Sequence, residues 1–430
     1  MPLSRRLLLF LTAGVGVAST TPLRALTQHL SMDDWEGVRA LFDLSPDRVH
    51  MSAMLIAAHP RPVREAIERH RQAMDRDPVE YLERNGDRLT EESRTAAARR
   101  LGVPPSHVAL TDSTTMGIGL VYTGLKVREG QELLTTEQDY YVTHESLRHL
   151  AERTGATVRR INPYERVAEA TEDGIVQSIR EAIRPETRLV ALTWVHSNTG
   201  VKIPVAAIAT HLAEVNATRD EDDQVLFGLD AVHGFGIEAE DFDGLGVDFL
   251  MAGGHKWLFG PRGTGIVAFS ERGLRAVRPT VPTFDDAGVF SAWYADAEGR
   301  PANNGRYMTP GGFKPFEHRW AMAEAFALQE RIGVEHIATR THELAGALKE
   351  RLATIPGVSV VTPRSGRLSS GIVAFEADGL PSDTVVRRLR DRAVIASVAP
   401  YPSALVRLTP SIHNSLGDVE AAAEAVRSSL

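Results

Sequence analysis

The chain has 430 residues, 43% hydrophobic and 24% charged, which is enough to build a large core and excludes disorder through its bulk. A net charge of −8 gives no basic surface for nucleic acid. The absence of cysteine removes disulfides, thiolate metal sites and cysteine nucleophiles together, while leaving the compartment open.

At the N-terminus, Arg5 and Arg6 precede an apolar run over residues 7–18, too short to cross a bilayer. Small residues follow, so cleavage is expected near Ser19 or Ala25 and residues 1–25 read as a signal peptide. The competing reading is an amphipathic helix, but residues 7–10 offer no polar face. Ser4-Arg5-Arg6 with the run behind it resembles a twin-arginine signal, which exports proteins already folded. Leucines stand after the arginines where Phe-Leu-Lys is commoner. The protein is therefore expected to be periplasmic or secreted, with no membrane attachment beyond the signal; without export it would be cytoplasmic.

Helices are expected at 32–42 and 61–74, the second with Pro62 in its first turn. From residue 107 apolar runs alternate with helix-like stretches. The runs suit buried strands at 107–110, 132–135, 157–161, 188–195, 225–229, 249–252 and 265–269. Helices are expected between them at 115–125, 143–154, 174–183 and 204–217. Such alternation predicts an α/β fold with a mostly parallel, seven-stranded sheet covered on both faces. Residues 280–315, rich in Gly, Pro, Asp and Asn, read as a long loop. Helices at 317–331, 342–352 and 382–392 and short strands at 359–362, 371–375 and 405–408 then predict a smaller α+β domain. The large domain is placed at 45–300, and the small one at 26–44 with 301–430.

The chemistry begins at Asp230, delivered by the strand at 225–229 to the strand end, where open α/β sheets bind ligands. The strand at 249–252 runs into Gly253-Gly254-His255-Lys256. A desolvated lysine forms Schiff bases with carbonyl compounds, and pyridoxal-phosphate enzymes pair such a lysine with an acid on the pyridine nitrogen. Alone, one Asp and one Lys read equally as a surface ion pair. Thr114 and Thr115 follow a strand and open a helix, where hydroxyls and free amides cradle an anion. Simple helix capping explains the same residues.

Taken in order, these segments resemble the class-V aminotransferase family, of pyridoxal-phosphate fold type I, from about residue 45 to the C-terminus, and its isopenicillin N epimerase-like branch above all. Residues 111–119 resemble the phosphate loop. Tyr140 stands at the ring-stacking position, and Asn198, in Ser197-Asn198-Thr199-Gly200, where the family bonds the cofactor's phenolic oxygen. Asp230-Ala-Val-His233 resembles the pyridine-acid motif, with His233 also facing that oxygen. Gly254-His255-Lys256-Trp257, then Gly260 to Gly265, resembles the Schiff-base motif, and Arg407 matches the arginine that binds the substrate carboxylate. The resemblance implies pyridoxal 5′-phosphate, an amino-acid or peptide-metabolite substrate and a homodimer. Thr309-Pro-Gly311-Gly312 lies where the family sends a loop into the partner's site, although a plain turn explains Pro-Gly-Gly as well.

Three positions depart from the pattern: His233 replaces Gln, Gly253 a phosphate-binding Ser, and Tyr140 the usual His. His255 stacks on the cofactor, hydrogen-bonds it, or is only a neighbour. His144, Trp194 and His196 read as packing residues, Glu317-His-Arg-Trp320 as a capped helix start, and no metal-ligand spacing stands out.

Whatever the outcome, Lys256 is freed by the substrate amine and serves as general base at the α-carbon. Persulfide-forming desulfuration is excluded, because it needs a cysteine nucleophile. With the export signal, the chain resembles the periplasmic class-V enzymes that modify the glutamyl group of the siderophore pyoverdine. Transamination or a related tailoring of a peptide metabolite is thus the first expectation. An isopenicillin N epimerase-like epimerisation is second, with Tyr140 as donor on the opposite ring face. A lyase outcome also remains, as does a non-catalytic binding protein, which would not need Asp230, Lys256 and Arg407 together.

Overall fold

The computed structural model describes residues 34–296 and 302–430. Seven strands form its central sheet: β1 (Val108–Thr111), β2 (Glu132–Thr136), β3 (Thr157–Ile161), β4 (Thr187–Thr193), β5 (Leu226–Asp230), β6 (Phe249–Gly253) and β7 (Gly265–Phe269). Their spatial order is β1-β7-β6-β5-β4-β2-β3. β7 runs antiparallel to both neighbours, and every other pair is parallel. Each expected strand lies within two residues of an observed one. Apart from β3 at the edge, they are buried along their whole length. Helices on both faces cause this, and it is why apolar runs rather than alternation marked these strands.

The smaller sheet contains β8 (Val358–Val360), β9 (Val373–Ala377), β10 (Ser397–Val398) and β11 (Val406–Leu408), in the antiparallel order β10-β11-β9-β8. Helices Val334–Ala353, Ser382–Asp391 and Leu416–Arg427 share its core. The last was not expected; Ser415 and Asp418 start it with a capping box. A short strand, Val49–His50, pairs with Val394–Ile395 and so joins the small sheet's side of the molecule.

Helix Phe316–Ile332, expected in the small domain, packs on helices Arg61–Arg76 and Pro78–Leu101. The segment around residues 49–51, placed in the large domain, contributes Met51 to the small domain's core. Helix Pro78–Leu101 carried no clear apolar stripe because its buried face is Gly86, Leu89, Ser93, Arg94, Ala97, Ala98 and Leu101, mostly small or polar. The loop expected at 280–315 contains a helix, Ala287–Tyr294. The helix expected at 32–42 is described only as Trp35–Arg39, and the signal at 1–25 lies outside the described residues.

Candidate active site

The parallel strands bring their C-terminal ends to one edge of the large sheet. β5 ends at Asp230, and β6 runs into the turn that carries Lys256. That turn is tight. A Cβ on Gly254 would stand 2.3 Å from Thr264 Oγ1, so only glycine fits. The Phe259 amide donates to the Lys256 carbonyl at 2.9 Å, with Phe259 itself left-handed at φ 56°. Its ring packs edge-on against Phe42 at 5.1 Å, which holds the residue there.

Asp230, His233, His255 and Lys256 meet Thr114, Thr115, Tyr140 and Arg407 around one cavity of about 240 Å³. A larger groove of about 780 Å³ runs beside helix Pro78–Leu101, lined by arginines and glutamates of helix surfaces; no lysine–acid pair like Lys256 and Asp230 lies in it.

Burial sets the charges in the smaller cavity. It pushes the Asp230 carboxyl above the usual range, opposed by the Val232 amide at 3.0 Å and by Lys256. It pulls the Lys256 ammonium below its usual value, with Arg407 acting in the same direction and Asp230 against. Both charged forms are thus short of solvation, and a cation seated on Asp230 would restore its ionised form. His233 is neutral, held well below its ordinary value by burial, Lys256 and Arg407. Its Nδ1 accepts from Trp257 Nε1 at 3.3 Å, which leaves the imidazole proton on Nε2 and makes the residue a donor.

At the other end of the cavity, Ser113 caps helix Thr114–Gly124 by accepting from the Met116 amide at 3.1 Å. The Thr114 and Thr115 amides then have no partner within the helix and form an anion site. Thr114 Oγ1 is buried with no hydrogen-bond partner. A Cβ on Gly253 would stand 3.0 Å from that hydroxyl, so Thr114 takes the space that a serine at 253 would use. Arg407, on β11, donates to the Ser197 carbonyl at 2.7 Å and the Val398 carbonyl at 3.0 Å, while its Nε is buried and unpaired. Burial pulls the guanidinium down to about 10, so it stays charged at neutral pH.

Tyr140 begins helix Tyr141–Thr154 as its N-cap and lines the cavity. Asp139 fixes the preceding turn. It accepts from Thr135 Oγ1 at 2.7 Å, the Thr136 amide at 2.8 Å, Thr136 Oγ1 at 2.9 Å and the Thr193 amide at 2.6 Å. The Tyr140 ring lies 5.9 Å from that of Tyr401, whose hydroxyl is 2.8 Å from Ser197 Oγ. Burial pushes the Tyr401 phenol upward, so it is a protonated donor.

Three expected site residues lie elsewhere. Asn198 donates to the Ser403 carbonyl at 3.2 Å and does not line the cavity, whereas Ser197 does. The Thr309 hydroxyl is fully buried, accepting from Arg94 and the Leu110 amide, each at 3.1 Å, and donating to the Gly305 carbonyl at 2.7 Å. It ties its own chain to β1 and is not free to reach a partner's site. Gly311 faces Phe284 and donates to the Pro282 carbonyl at 2.8 Å.

Ser197, Tyr401, Thr193, Leu55 and Asp139 were not singled out as site residues. Only Ser197 sat inside a quoted motif, and Asp139 directly precedes Tyr140. Tyr401 and Leu55 come from segments far away in sequence, which carry no signal of their own.

Pyridoxal phosphate fits these residues: Asp230 for the pyridine nitrogen, His233 for the phenolic oxygen, and the Thr114 hydroxyl with the helix amides for the phosphate. Residues 59–401 match the family model described as aminotransferase class-V. Isopenicillin N epimerase of Streptomyces clavuligerus is 26% identical over 92% of this chain and 98% of that protein. The epimerase of Amycolatopsis lactamdurans is 28% identical over 91% and 98%. A probable cysteine desulfurase of Mycobacterium leprae is 26% identical over 77% and 78%. Among solved structures, a mutant of C-DES with glycine covalently linked to its PLP cofactor superposes with a TM-score of 0.81 at 20% identity, covering 90% of this chain and 98% of that one. The cysteine desulfurase CsdA of Escherichia coli gives 0.77 at 19%, covering 92% and 98%.

Proposed function

The chain belongs to the class-V aminotransferase family, whose members use pyridoxal phosphate, and on that premise we propose that it moves the α-proton of an amino acid, or of an amino-acid unit of a peptide metabolite, whose carboxylate Arg407 holds. One observation carries the reading: a half-buried lysine and a buried acid face one cavity with an incompletely paired arginine. When bound, the cofactor ring supplies a sink for the electron pair of the broken α-bond. Asp230 would hold the ring nitrogen, and its burial would exclude water from that contact. Lys256, its ammonium destabilised by burial, is a base at near-neutral pH and takes the proton. Arg407 keeps its fork toward the substrate because two backbone carbonyls fix its Nη atoms.

Epimerisation is a second reading, and the strand order favours it. Lys256 follows β6 on one side of β5, and Tyr140 and Ser197 follow β2 and β4 on the other. Lys256 would supply the base, and Tyr140, which lines the cavity beside Tyr401, would be the second proton donor. The nearly full-length match to two isopenicillin N epimerases supports the same outcome. Transamination in siderophore tailoring needs no second donor, but it needs water to release the keto acid and a keto-acid acceptor to take the amino group. Twin-arginine export and a homodimer belong to the proposal as well; exposed Leu55, Ile56, Tyr141 and Phe313 support a covering partner.

The test is nuclear magnetic resonance of the cofactor-loaded protein in deuterium oxide with a panel of amino acids and peptide amines, L-glutamate included. Exchange of an α-hydrogen supports the proposal, and inversion of configuration selects epimerisation. Conversion to a keto acid selects transamination. Absence of α-exchange across the panel, in protein whose loading is verified by borohydride trapping on Lys256 in a separate aliquot, would count against α-proton chemistry.

A further inference from the structure

At the opposite edge of the large sheet lies a cavity of about 430 Å³. It is built from residues 125–131 ahead of β2, the start of β4, and helix Glu271–Ala276 after β7. β4 enters the sheet here and leaves it toward Ser197, so its seven residues, about 23 Å of extended chain, separate this cavity from the catalytic one.

Seven cationic side chains line it against two carboxylates, on a chain of net charge −8. Arg128, Arg272 and Arg275 are neutralised by Asp223, Asp248 and Glu221. The other four, Lys126, Arg153, Arg188 and Arg278, have no carboxylate partner among the described residues. Arg188 is the telling one, for it is only 6% exposed. One Nη donates to the Gln224 carbonyl, and its Nε is buried without a partner. Burying a guanidinium with no carboxylate in ion-pair contact is unfavourable, and it stays charged across physiological pH, with Asp222, Asp223 and Asp248 acting on it only from a distance. The Gln224 carbonyl needs only a neutral donor, and none of these carboxylates pairs with the Nε.

We propose that this cavity binds a small phosphate-bearing anion, with Arg188 at its floor and the exposed Arg153 and Arg278 at its rim. Guanidinium forks take oxyanions two oxygens at a time, and a pyrophosphate group offers enough oxygens for several of them. The volume suits a ligand of nucleotide size.

The chain, loaded with pyridoxal phosphate so that the catalytic phosphate cradle is filled, is titrated calorimetrically with inorganic pyrophosphate. Sulfate at matched ionic strength and phosphatidylglycerol vesicles are the comparisons. Saturable binding of one pyrophosphate per chain is expected, weakened about tenfold or more in R188Q and in R278Q. R278Q changes an exposed side chain and carries the test if R188Q does not fold. The assignment is overturned if pyrophosphate gives no saturable heat, if sulfate matches it, or if both variants bind as the parent does. Capture by the vesicles without pyrophosphate binding overturns the soluble ligand in favour of a lipid headgroup.

Discussion

Replacing Asp139 by Asn tests whether the turn before Tyr140 is held by a charged acceptor. The carboxylate is 1% exposed. One oxygen accepts three hydrogen bonds and the other accepts the Thr193 amide at 2.6 Å. An asparagine that keeps the three-bond oxygen turns its own N–H toward the Thr193 amide, leaving a buried donor unpaired, which costs about 1–3 kcal/mol. The remaining three bonds lose their charge assistance, about 1 kcal/mol each before compensation. Since such terms overlap in one network, a loss of about 3–6 kcal/mol is expected. Urea unfolding followed by tryptophan fluorescence reads it as a lower midpoint. Tyr140 and Thr193 shift with the turn, so the cofactor's visible absorbance should weaken in the same variant at urea concentrations where the fold is intact. A loss below about 1 kcal/mol would refute the claim that the acceptor's charge matters.

Three further outcomes are expected. Lys256→Ala should abolish borohydride-fixed cofactor, read by mass spectrometry, and slow α-hydrogen exchange by about 10²–10⁴-fold; unchanged exchange would remove Lys256 from the base role. Gly253→Ser crowds the Thr114 hydroxyl at 3.0 Å and should weaken cofactor retention about tenfold, while adding Thr114→Ala should recover most of it. His413 is buried with an unpaired Nδ1 and held at about 4, chiefly by burial. As pH falls from 6.5 toward 4 the unfolded chain gains a proton that the folded one refuses, so stability drops by up to about 1.4 kcal/mol per pH unit. His413→Phe, seated against Phe42 and Phe259, should show a shallower slope in that window, and an equal slope would assign the acid loss to other groups.

The large sheet was legible because parallel strands buried on both faces must be continuous apolar runs, and those runs need only local sequence. Asp230 and Lys256 were legible too: a strand end followed by an acid, or by two glycines and a lysine, is local information. Helix Pro78–Leu101 was not, since Gly86, Ser93 and Arg94 face the interior and look like surface residues until Trp320 and Thr309 are packed against them. The same holds at the site. Thr309 resembled a partner-reaching residue by its place in a motif, but three hydrogen bonds within its own chain hold it. Tyr401 was invisible because its meaning lies in contact with Ser197, 204 residues away. The sequence by itself determined the strand pattern and the two groups at strand ends, where covalent neighbours fix position. Only the tertiary structure decided which hydroxyls and rings share the cavity with them, because those contacts join segments that nothing in the local chain relates.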